Sequence, residues 1–172
     1  MYQTLRSFKL RMRKNLLRYR RFLKYLERNN IRIAPKEVIK QNAEAFRKID
    51  CGQCANCCKV MTPVYTFPDI TRIAAHVGMT DLEYADKYLG KTKEGDIINR
   101  KRPCHFLGKN NRCSIYEIRP SSCRNFPYTH RKNLTGNNRS HLQNLEYCPI
   151  TFEVVESIYK KYELEKKVGD RS

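Results

Sequence analysis

The chain has 172 residues, a formal net charge of +18 and a hydrophobic fraction of 40%. This length predicts one domain with a modest core, and no stretch is apolar and long enough to cross a bilayer. The basic N-terminal region lacks the uninterrupted apolar segment and small-residue cleavage site of a secretory signal, so we expect a cytoplasmic protein.

The positive charge is concentrated toward the N-terminus. Residues 1–50 carry fifteen Lys or Arg and four Asp or Glu, whereas residues 153–172 carry five of each. A basic segment of this kind is either a solvated face or a surface that contacts an anionic partner. If four thiolates bind one divalent ion, the site keeps a net negative charge. Part of the excess of Lys and Arg would then offset that charge.

The first segment predicts one long amphipathic helix over residues 2–29. Its apolar side chains recur every three or four residues, at Leu5, Phe8, Met12, Leu16, Tyr19, Leu23 and Leu26. We expect this stripe to pack on the rest of the protein or on a second copy of the chain. The basic face is solvated, or it binds nucleic acid, the ribosome or an anionic membrane surface.

Three further helices are expected before the middle of the chain. One starts at Pro35, a residue suited to the first helical position, and leads directly into Cys51. Its expected apolar face consists of Val38, Ile39, Ala43, Phe46 and Ile49. After an extended piece at 60–65, a helical pair follows over 68–77 and 80–89, the second with the spacing of a capping box.

The second half predicts shorter elements. We expect a strand at 96–100, a β-hairpin that pairs 106–107 with 115–116, a helical turn at 121–123 and a loop over 128–144. A last helix starts at Pro149 and directs Phe152, Val155, Tyr159 and Tyr162 to one side. The predicted fold class is therefore α-rich α+β, with helices around a small metal-stapled cysteine core and a short hairpin. The predicted division is a basic amphipathic N-terminal helix at 1–34, a cysteine-cluster metal-binding domain at 35–165 and a tail at 166–172.

Eight cysteines carry the chemical signal. Four fall within eight residues and four follow at wider spacing, namely Cys51, Cys54, Cys57, Cys58, Cys104, Cys113, Cys123 and Cys148. Thiolates this close repel one another unless a cation binds among them. In a reducing compartment such cysteines are metal ligands rather than disulfides.

Two arrangements of ligands fit the spacing. Structural zinc takes four tetrahedral ligands, so eight cysteines divide into two zinc sites of four cysteines each. Neighbouring side chains in an extended or turn conformation diverge, so we expect Cys57 and Cys58 to serve different metals, or one of them to stay out of the coordination sphere. The competing arrangement is one [4Fe–4S] cluster, because Cys51, Cys54 and Cys57 have ferredoxin-like gaps.

The whole pattern resembles a known family. Cys51-x-x-Cys54-x-x-Cys57-Cys58 is followed by Pro103-Cys104-x-Phe106-Leu107, then by Cys113-x-Ile115-Tyr116-x-x-Arg119-Pro120-x-x-Cys123-Arg124-x-Phe126-Pro127, then by Cys148-Pro149. This pattern is similar to the YkgJ-type, or CxxCxxCC, cysteine-cluster family. The resemblance implies chelation of zinc or iron without a settled activity. A similar cluster in flagellin lysine N-methylases links it to iron–sulfur chemistry and methyl transfer.

Three residues near the second half of the cysteine set are candidates for contacts around the metal. Arg119 and Arg124 flank Cys123, where guanidinium groups offset thiolate charge. Tyr116 is expected in the core or as a polar contact near the metal. His105 follows Cys104 at a variable position of the motif, so we do not count it as a ligand.

The sequence leaves three functional hypotheses. The first is a metal-binding protein whose zinc or iron is mainly structural. The second is an iron–sulfur enzyme of redox or methyl-transfer type, although no catalytic triad, carboxylate pair or phosphate-binding glycine loop is visible. The third is a zinc module that binds nucleic acid through its basic N-terminal helix.

Overall fold

The structure is a computed structural model and describes residues 5–129, 134 and 138–169. It divides into two compact units. The helical unit combines Met1–Asp50 with Pro127–Ser172, and the cysteine unit is Cys51–Phe126. Among the residues described, none of the helices combines the length and apolar character needed to span a membrane.

The helical unit consists of four helices in the described residues. They are α1 (Leu5–Arg28), α2 (Pro35–Lys48), α8 (Asn138–Tyr147) and α9 (Pro149–Gly169). Helices α1, α2 and α8 all pack on α9. Because three helices surround it, α9 is buried without interruption from Ile150 through Glu156, as expected of a central helix.

An aromatic core and a buried ion pair join α1 to α9. The rings of Phe8 and Tyr19 lie edge-on to Phe152, at centroid distances of 5.7 and 5.3 Å. Arg11 donates to Glu153 and Glu156, and the Tyr19 hydroxyl donates to Glu156 over 2.8 Å. Each buried carboxylate on α9 therefore has a partner on α1, as burial of charge requires.

The cysteine unit combines short helices with a small sheet. Its elements are α3 (Cys51–Cys54), α4 (Asn56–Val60), β1 (Val64–Tyr65), α5 (Phe67–His76), α6 (Asp81–Tyr88), β2 (Leu89–Lys91), β3 (Ile97–Asn99), the 3-10 helix η1 (Tyr116–Ile118) and α7 (Ser121–Asn125). The sheet is antiparallel in the order β1-β3-β2, with Ile98 opposite both Val64 and Gly90. Its core residues are Tyr65, Ile70, Ile73, Ala74, Tyr84, Leu89 and Ile115.

Several predicted elements are confirmed, and the fold class is α-rich α+β as expected. Helix α1 runs along the predicted segment, α2 starts at Pro35 and α9 starts at Pro149. The capping box of α6 is present, because Thr80 Oγ1 accepts from Glu83 N while the Glu83 carboxylate accepts from Thr80 N. These features follow from local sequence signals that need no distant contact.

Other predictions were wrong. The predicted hairpin of 106–107 with 115–116 is a single bridge between Leu107 and Cys113, and the hairpin of this unit is β2–β3 instead. Val38 of α2 and its C-cap residue Ile49 are buried as expected, but Ile39, Ala43 and Phe46 are exposed and Ala45 is buried in their place.

The predicted loop over 128–144 is helical from residue 138 onward, in α8. Residues 130–133 and 135–137 of that loop lie outside the described residues. The predicted tail 166–172 is helical through Gly169, and residues 170–172 lie outside the description. The error at residues 138–144 came from treating polar composition as a sign of irregular structure.

Candidate metal centre

The first four cysteines lie on two one-turn helices. Ala55 separates α3 from α4 and adopts a left-handed conformation with φ of 46°, although it is buried and not a glycine. Its N–H bonds the Cys51 carbonyl over 3.0 Å, and its carbonyl accepts from Lys59 N. This break lets the chain change direction between the Cys51–Cys54 turn and the Cys57–Cys58 turn.

Cys57 and Cys58 do not diverge as expected. They lie on helix α4, and their Sγ atoms are 3.9 Å apart. Two sulfurs on one tetrahedral zinc, with Zn–S of about 2.3 Å, are separated by about 3.8 Å. The observed spacing therefore permits both sulfurs to bind one ion, so the expected divergence of the two side chains was wrong. Which ion each sulfur binds stays a prediction.

Cys104 lies beside Cys58 and receives a hydrogen bond at its sulfur. The Cys104 N–H donates to the Cys58 carbonyl over 2.8 Å. The Asn99 side-chain amide donates to Cys104 Sγ over 3.4 Å, and Tyr65 OH donates to Asn99 Oδ1 over 2.8 Å. Because Tyr65 occupies the amide oxygen, the NH2 group of Asn99 faces the sulfur.

Cys113 is held close to Cys104 by a tight loop. The Leu107 N–H donates to the Cys104 carbonyl, and Leu107 then pairs with Cys113 in an isolated antiparallel bridge. Within the loop, Gly108 N donates to the Arg112 carbonyl over 2.8 Å. Cys104 and Cys113 therefore lie at the two ends of one closed turn, whose arms are too short to form strands.

Cys123 lies on α7, which is fixed by bonds to other elements. The Ser122 hydroxyl donates to the Val64 carbonyl of β1 over 2.7 Å. Ser121 donates twice to the buried carboxylate of Asp69, from its N–H to Oδ1 over 3.1 Å and from its hydroxyl to Oδ2 over 2.9 Å. Helix α5, which carries Asp69, thereby orients the helix that carries Cys123.

Four thiols influence one another electrostatically. Burial raises the pKa of Cys123 to about 12, and repulsion from Cys58, Cys104 and Cys113 adds to the rise. Burial also raises the pKa of Cys104 and of Cys113, and repulsion from Cys58 adds to both. These four residues come from separate segments but lie close enough that ionisation of one opposes ionisation of the others.

The pKa of Cys58 shifts in the opposite direction from the pKa of Cys104, Cys113 and Cys123. The hydrogen bond with Cys57 lowers the pKa of Cys58 to about 7, although burial opposes this shift. Cys54 follows the other pattern, since burial raises its pKa and repulsion from Cys58 adds a smaller rise. Cys58 is therefore more easily ionised than Cys54, Cys104, Cys113 or Cys123, and its charge acts on these thiols.

Cys148 belongs to the helical unit, whereas the other seven cysteines belong to the cysteine unit. It is buried between α8 and α9, where its N–H donates to the Asn144 carbonyl over 2.7 Å and its carbonyl accepts from Phe152 N. The eight cysteines are all thiols rather than disulfides in the structure. In the part of the chain that is described, no three Cys, His, Asp or Glu side chains already form a complete metal-binding arrangement.

The thiols nevertheless fit a thiophilic metal. Thiolates are the ligands that zinc and iron–sulfur centres use in proteins. A cation would relieve the mutual repulsion that raises the pKa of Cys123, and the Asn99 amide already offers a hydrogen bond to a sulfur. The donor chemistry of these residues therefore matches the implied metal.

The three residues predicted near the metal have other principal contacts. Tyr116 is 50% exposed, so its expected place in the core was wrong. The Arg119 guanidinium lies 3.8 Å from the centroid of the Tyr116 ring, and its charge slightly lowers the pKa of Cys113. The bonds described for Arg124 go to the carbonyls of Glu117 and Arg119 rather than to sulfur.

Sequence reasoning missed Asp69 and Asn99, which support the cysteine-bearing segments, although Asp69 had a visible signal in the sequence. Thr66 and Asp69 have the spacing of a capping box, and the structure contains that box at the start of α5. The hydrogen bonds from Ser121 to Asp69, in contrast, join residues 52 positions apart. Asn99 had no local signal, because only the tertiary structure brings its amide to Cys104.

His105 lies in an aromatic cluster rather than among the thiols. Its ring stacks on Tyr88 at a centroid distance of 4.3 Å, and its Nε2 lies 3.3 Å from Tyr84 OH. Burial lowers the pKa of His105 to about 4, so the ring is neutral at pH 7. This position agrees with its omission from the predicted ligands.

Comparison with known proteins identifies the family. The family model "CxxCxxCC: Putative zinc- or iron-chelating domain" matches residues 50–149. The chain belongs to the CxxCxxCC family. All eight cysteines fall inside the range that matches this family, while α1 and most of α9 fall outside it. No curated protein and no solved structure matches the chain.

Proposed function

We propose that this CxxCxxCC protein binds zinc or iron through its cysteines, and that the metal mainly stabilises the cysteine unit. One observation carries the proposal: hydrogen bonds fix four segments of that unit so that their thiols lie close enough to interact electrostatically. Cys58, Cys104, Cys113 and Cys123 are the thiols concerned. We call them the central thiols.

The central thiols are joined pairwise by backbone contacts. Cys104 bonds the Cys58 carbonyl, Cys113 bridges to the loop after Cys104, and α7 carrying Cys123 is fastened to β1 and α5. A metal bound to all four would cross-link segments that are up to 65 positions apart in the chain. Such a link stabilises the folded state by restricting the unfolded chain and by its own binding energy.

The remaining cysteines supply a second set. Cys51, Cys54 and Cys57 precede Cys58 on α3 and α4, and Cys148 lies in the helical unit. In the two-zinc arrangement, Cys51, Cys54 and Cys57 contribute three thiolates to a second site. In the iron arrangement, Cys51, Cys54 and Cys57 contribute to one [4Fe–4S] cluster, which would give the protein a redox or methyl-transfer role.

Asn99 is proposed to position and tune the metal site. It is 2% exposed, and its amide is oriented by Tyr65. A hydrogen bond to a ligating thiolate disperses negative charge from the sulfur and fixes the ligand's orientation. Because eight thiols survive only where they stay reduced, we place the protein in a reducing compartment such as the cytosol.

The experiment is metal analysis of protein purified without oxygen, combined with cysteine variants. Two zinc ions per chain and no colour support a pair of four-cysteine sites. Brown protein with absorbance near about 400 nm supports an iron–sulfur cluster. Protein without any transition metal would overturn the proposal.

Variants test which cysteines share an ion. If the central thiols form one site, Cys58→Ser and Cys123→Ser lose the same ion and lower the thermal midpoint alike. Cys51→Ser is the matched control, because it removes a thiol outside the central set and should leave that ion bound. Full metal content in Cys58→Ser would refute this assignment of ligands.

A further inference from the structure

A basic recess lies between α1 and the C-terminal half of α9, and none of the eight cysteines lines it. It has a volume of about 500 Å³ and lies entirely within the helical unit. Its charged lining consists of four cations, Lys14, Arg18, Arg21 and Lys166, and one carboxylate, Glu163. The recess therefore carries a clear excess of positive charge.

The cations of the recess form no ion pairs among the described residues, unlike Arg11 and Arg20 of α1. Arg11 forms ion pairs with Glu153 and Glu156, and Arg20 pairs with Glu146 over 3.2 Å. Among the residues described, Lys14, Arg18, Arg21 and Lys166 make no such pair and their side chains are exposed. Their charge is thus available to an anionic ligand rather than used in packing.

Aromatic rings form the floor of the recess. Tyr25 is 43% exposed, and its hydroxyl accepts from Tyr162 OH over 3.4 Å. Beneath them lie Phe22 and Tyr159, with the Phe22 centroid 5.4 Å from Tyr162 and 5.2 Å from Tyr159. Packing between these rings fixes the orientation of the exposed Tyr25 and of Tyr162.

We propose that this recess binds single-stranded nucleic acid, with phosphates on the cations and a base stacked on Tyr25 or Tyr162. Single-strand sites combine a positive groove with aromatic platforms, because every base offers a π face. Lys14 and Arg21 are separated by about 10 Å of helix, so three of the four cations can contact successive phosphates of one strand. A membrane surface would use the cations, but it offers no planar base to stack on the tyrosine rings.

The test measures the binding of a fluorescent single-stranded RNA of about 12 nucleotides to the full, metal-loaded chain by anisotropy. Three phosphate contacts predict a log–log salt slope of about −2, or about 20-fold weaker binding at 200 than at 50 mM salt. Arg18→Gln should reduce the slope by about 0.7. Arg47→Gln, an exposed arginine of α2, is the matched control and should leave the slope unchanged.

A ring variant separates stacking from charge. Tyr25→Ala should weaken RNA binding by about 5-fold or more, whereas Tyr25→Phe keeps the ring and should bind like the unaltered protein. Circular dichroism and metal content of each variant check that the fold is intact. These measurements are independent of the metal proposal, because a chain can bind metal normally and still fail to bind RNA.

Several results would overturn the proposal. They are absence of RNA binding at 50 mM salt, equal affinity for an RNA duplex of the same length, and unchanged affinity in Tyr25→Ala. Binding to phosphatidylserine-containing vesicles without binding to RNA would instead identify the recess as a membrane-contact surface.

Discussion

Asp69 provides the sharpest test of how the cysteine unit is held together. Its carboxylate is 2% exposed and accepts five hydrogen bonds, from Thr66, Arg72 and Ser121. Asp69→Asn replaces one oxygen by an NH2 group. The Thr66 N–H, the Ser121 N–H and the Arg72 guanidinium cannot accept, and each carboxylate oxygen binds at least one of them. The amide NH2 therefore faces a donor in either orientation, and at least one bond is lost.

The magnitude follows from the pKa of the carboxyl group. Burial alone would raise it, but hydrogen bonds from Arg72, Thr66 and Ser121 outweigh burial and lower it from 3.8 to about 2. At 1.36 kcal/mol per pKa unit, this shift corresponds to about 2.4 kcal/mol of stability at pH 7. We therefore expect Asp69→Asn to lower the free energy of unfolding by about 2 kcal/mol or more.

The assay is urea unfolding of metal-loaded protein at pH 7, with Glu83→Gln as the matched control. Glu83 holds the same capping-box position on α6 but is exposed, so its loss should be clearly smaller. A folded-state pKa below the ordinary value means that the stabilisation is complete above pH 4 and disappears as the pH falls toward 2. The gap between unaltered protein and Asp69→Asn should narrow in that interval.

Two results would refute this reasoning. One is a loss below about 0.5 kcal/mol for Asp69→Asn, which is the size of an ordinary surface change. The other is an equal loss in both capping-box variants, which would show that α7 gains nothing from its bonds to Asp69.

Three further predictions follow. Asn99→Leu removes the donor to Cys104 Sγ and should weaken metal retention by about 10- to 100-fold in chelator competition; unchanged retention would exclude a role for the amide. Glu156→Gln unbalances the buried contact with Arg11 and should cost about 2–3 kcal/mol in urea unfolding, and a loss under 1 kcal/mol would contradict it. His141 is buried, and burial lowers its pKa from 6.5 to about 4, so the free energy of unfolding falls as the pH is lowered. Between pH 7.5 and 5, the unaltered protein should lose about 2 kcal/mol more of this free energy than His141→Leu. Parallel pH profiles of the two proteins would contradict this.

Local signals explain what could be predicted of the fold. Pro35 and Pro149 mark helix starts because the ring presets φ and the missing N–H needs no partner there. The stripe on α1 was predicted because its period of three to four residues is a property of the sequence alone. Phe8, Tyr19 and Leu23 of that stripe are indeed buried.

Errors arose where distant segments decide the outcome. Ile39 and Phe46 of α2 are exposed although they are apolar, because the side of α2 that packs on α9 is the one carrying Val38 and Ala45. The segment after residue 138 is helical because it packs on α1 and α9, despite its polar composition. Propensity is a weak guide when tertiary packing overrides it.

The sequence indicated which cysteines form the candidate site, but it did not predict how they are arranged in space. Cysteine spacing identified the family, but it did not show that Cys57 and Cys58 have sulfurs 3.9 Å apart on one helix. Nor could spacing show that the Asn99 amide donates to Cys104 Sγ, since its orientation depends on the bond from Tyr65, a residue 34 positions away. Residues that support a ligand from a neighbouring strand are visible only in three dimensions.

The most direct measurement is thermal unfolding of oxygen-free purified protein before and after removal of its metal by a chelator, with metal content determined in both samples. The account predicts a marked fall in the unfolding midpoint once the metal is gone, and recovery when zinc or iron is restored. An unchanged midpoint in metal-free protein would contradict the claim that a thiolate-bound ion stabilises the cysteine unit.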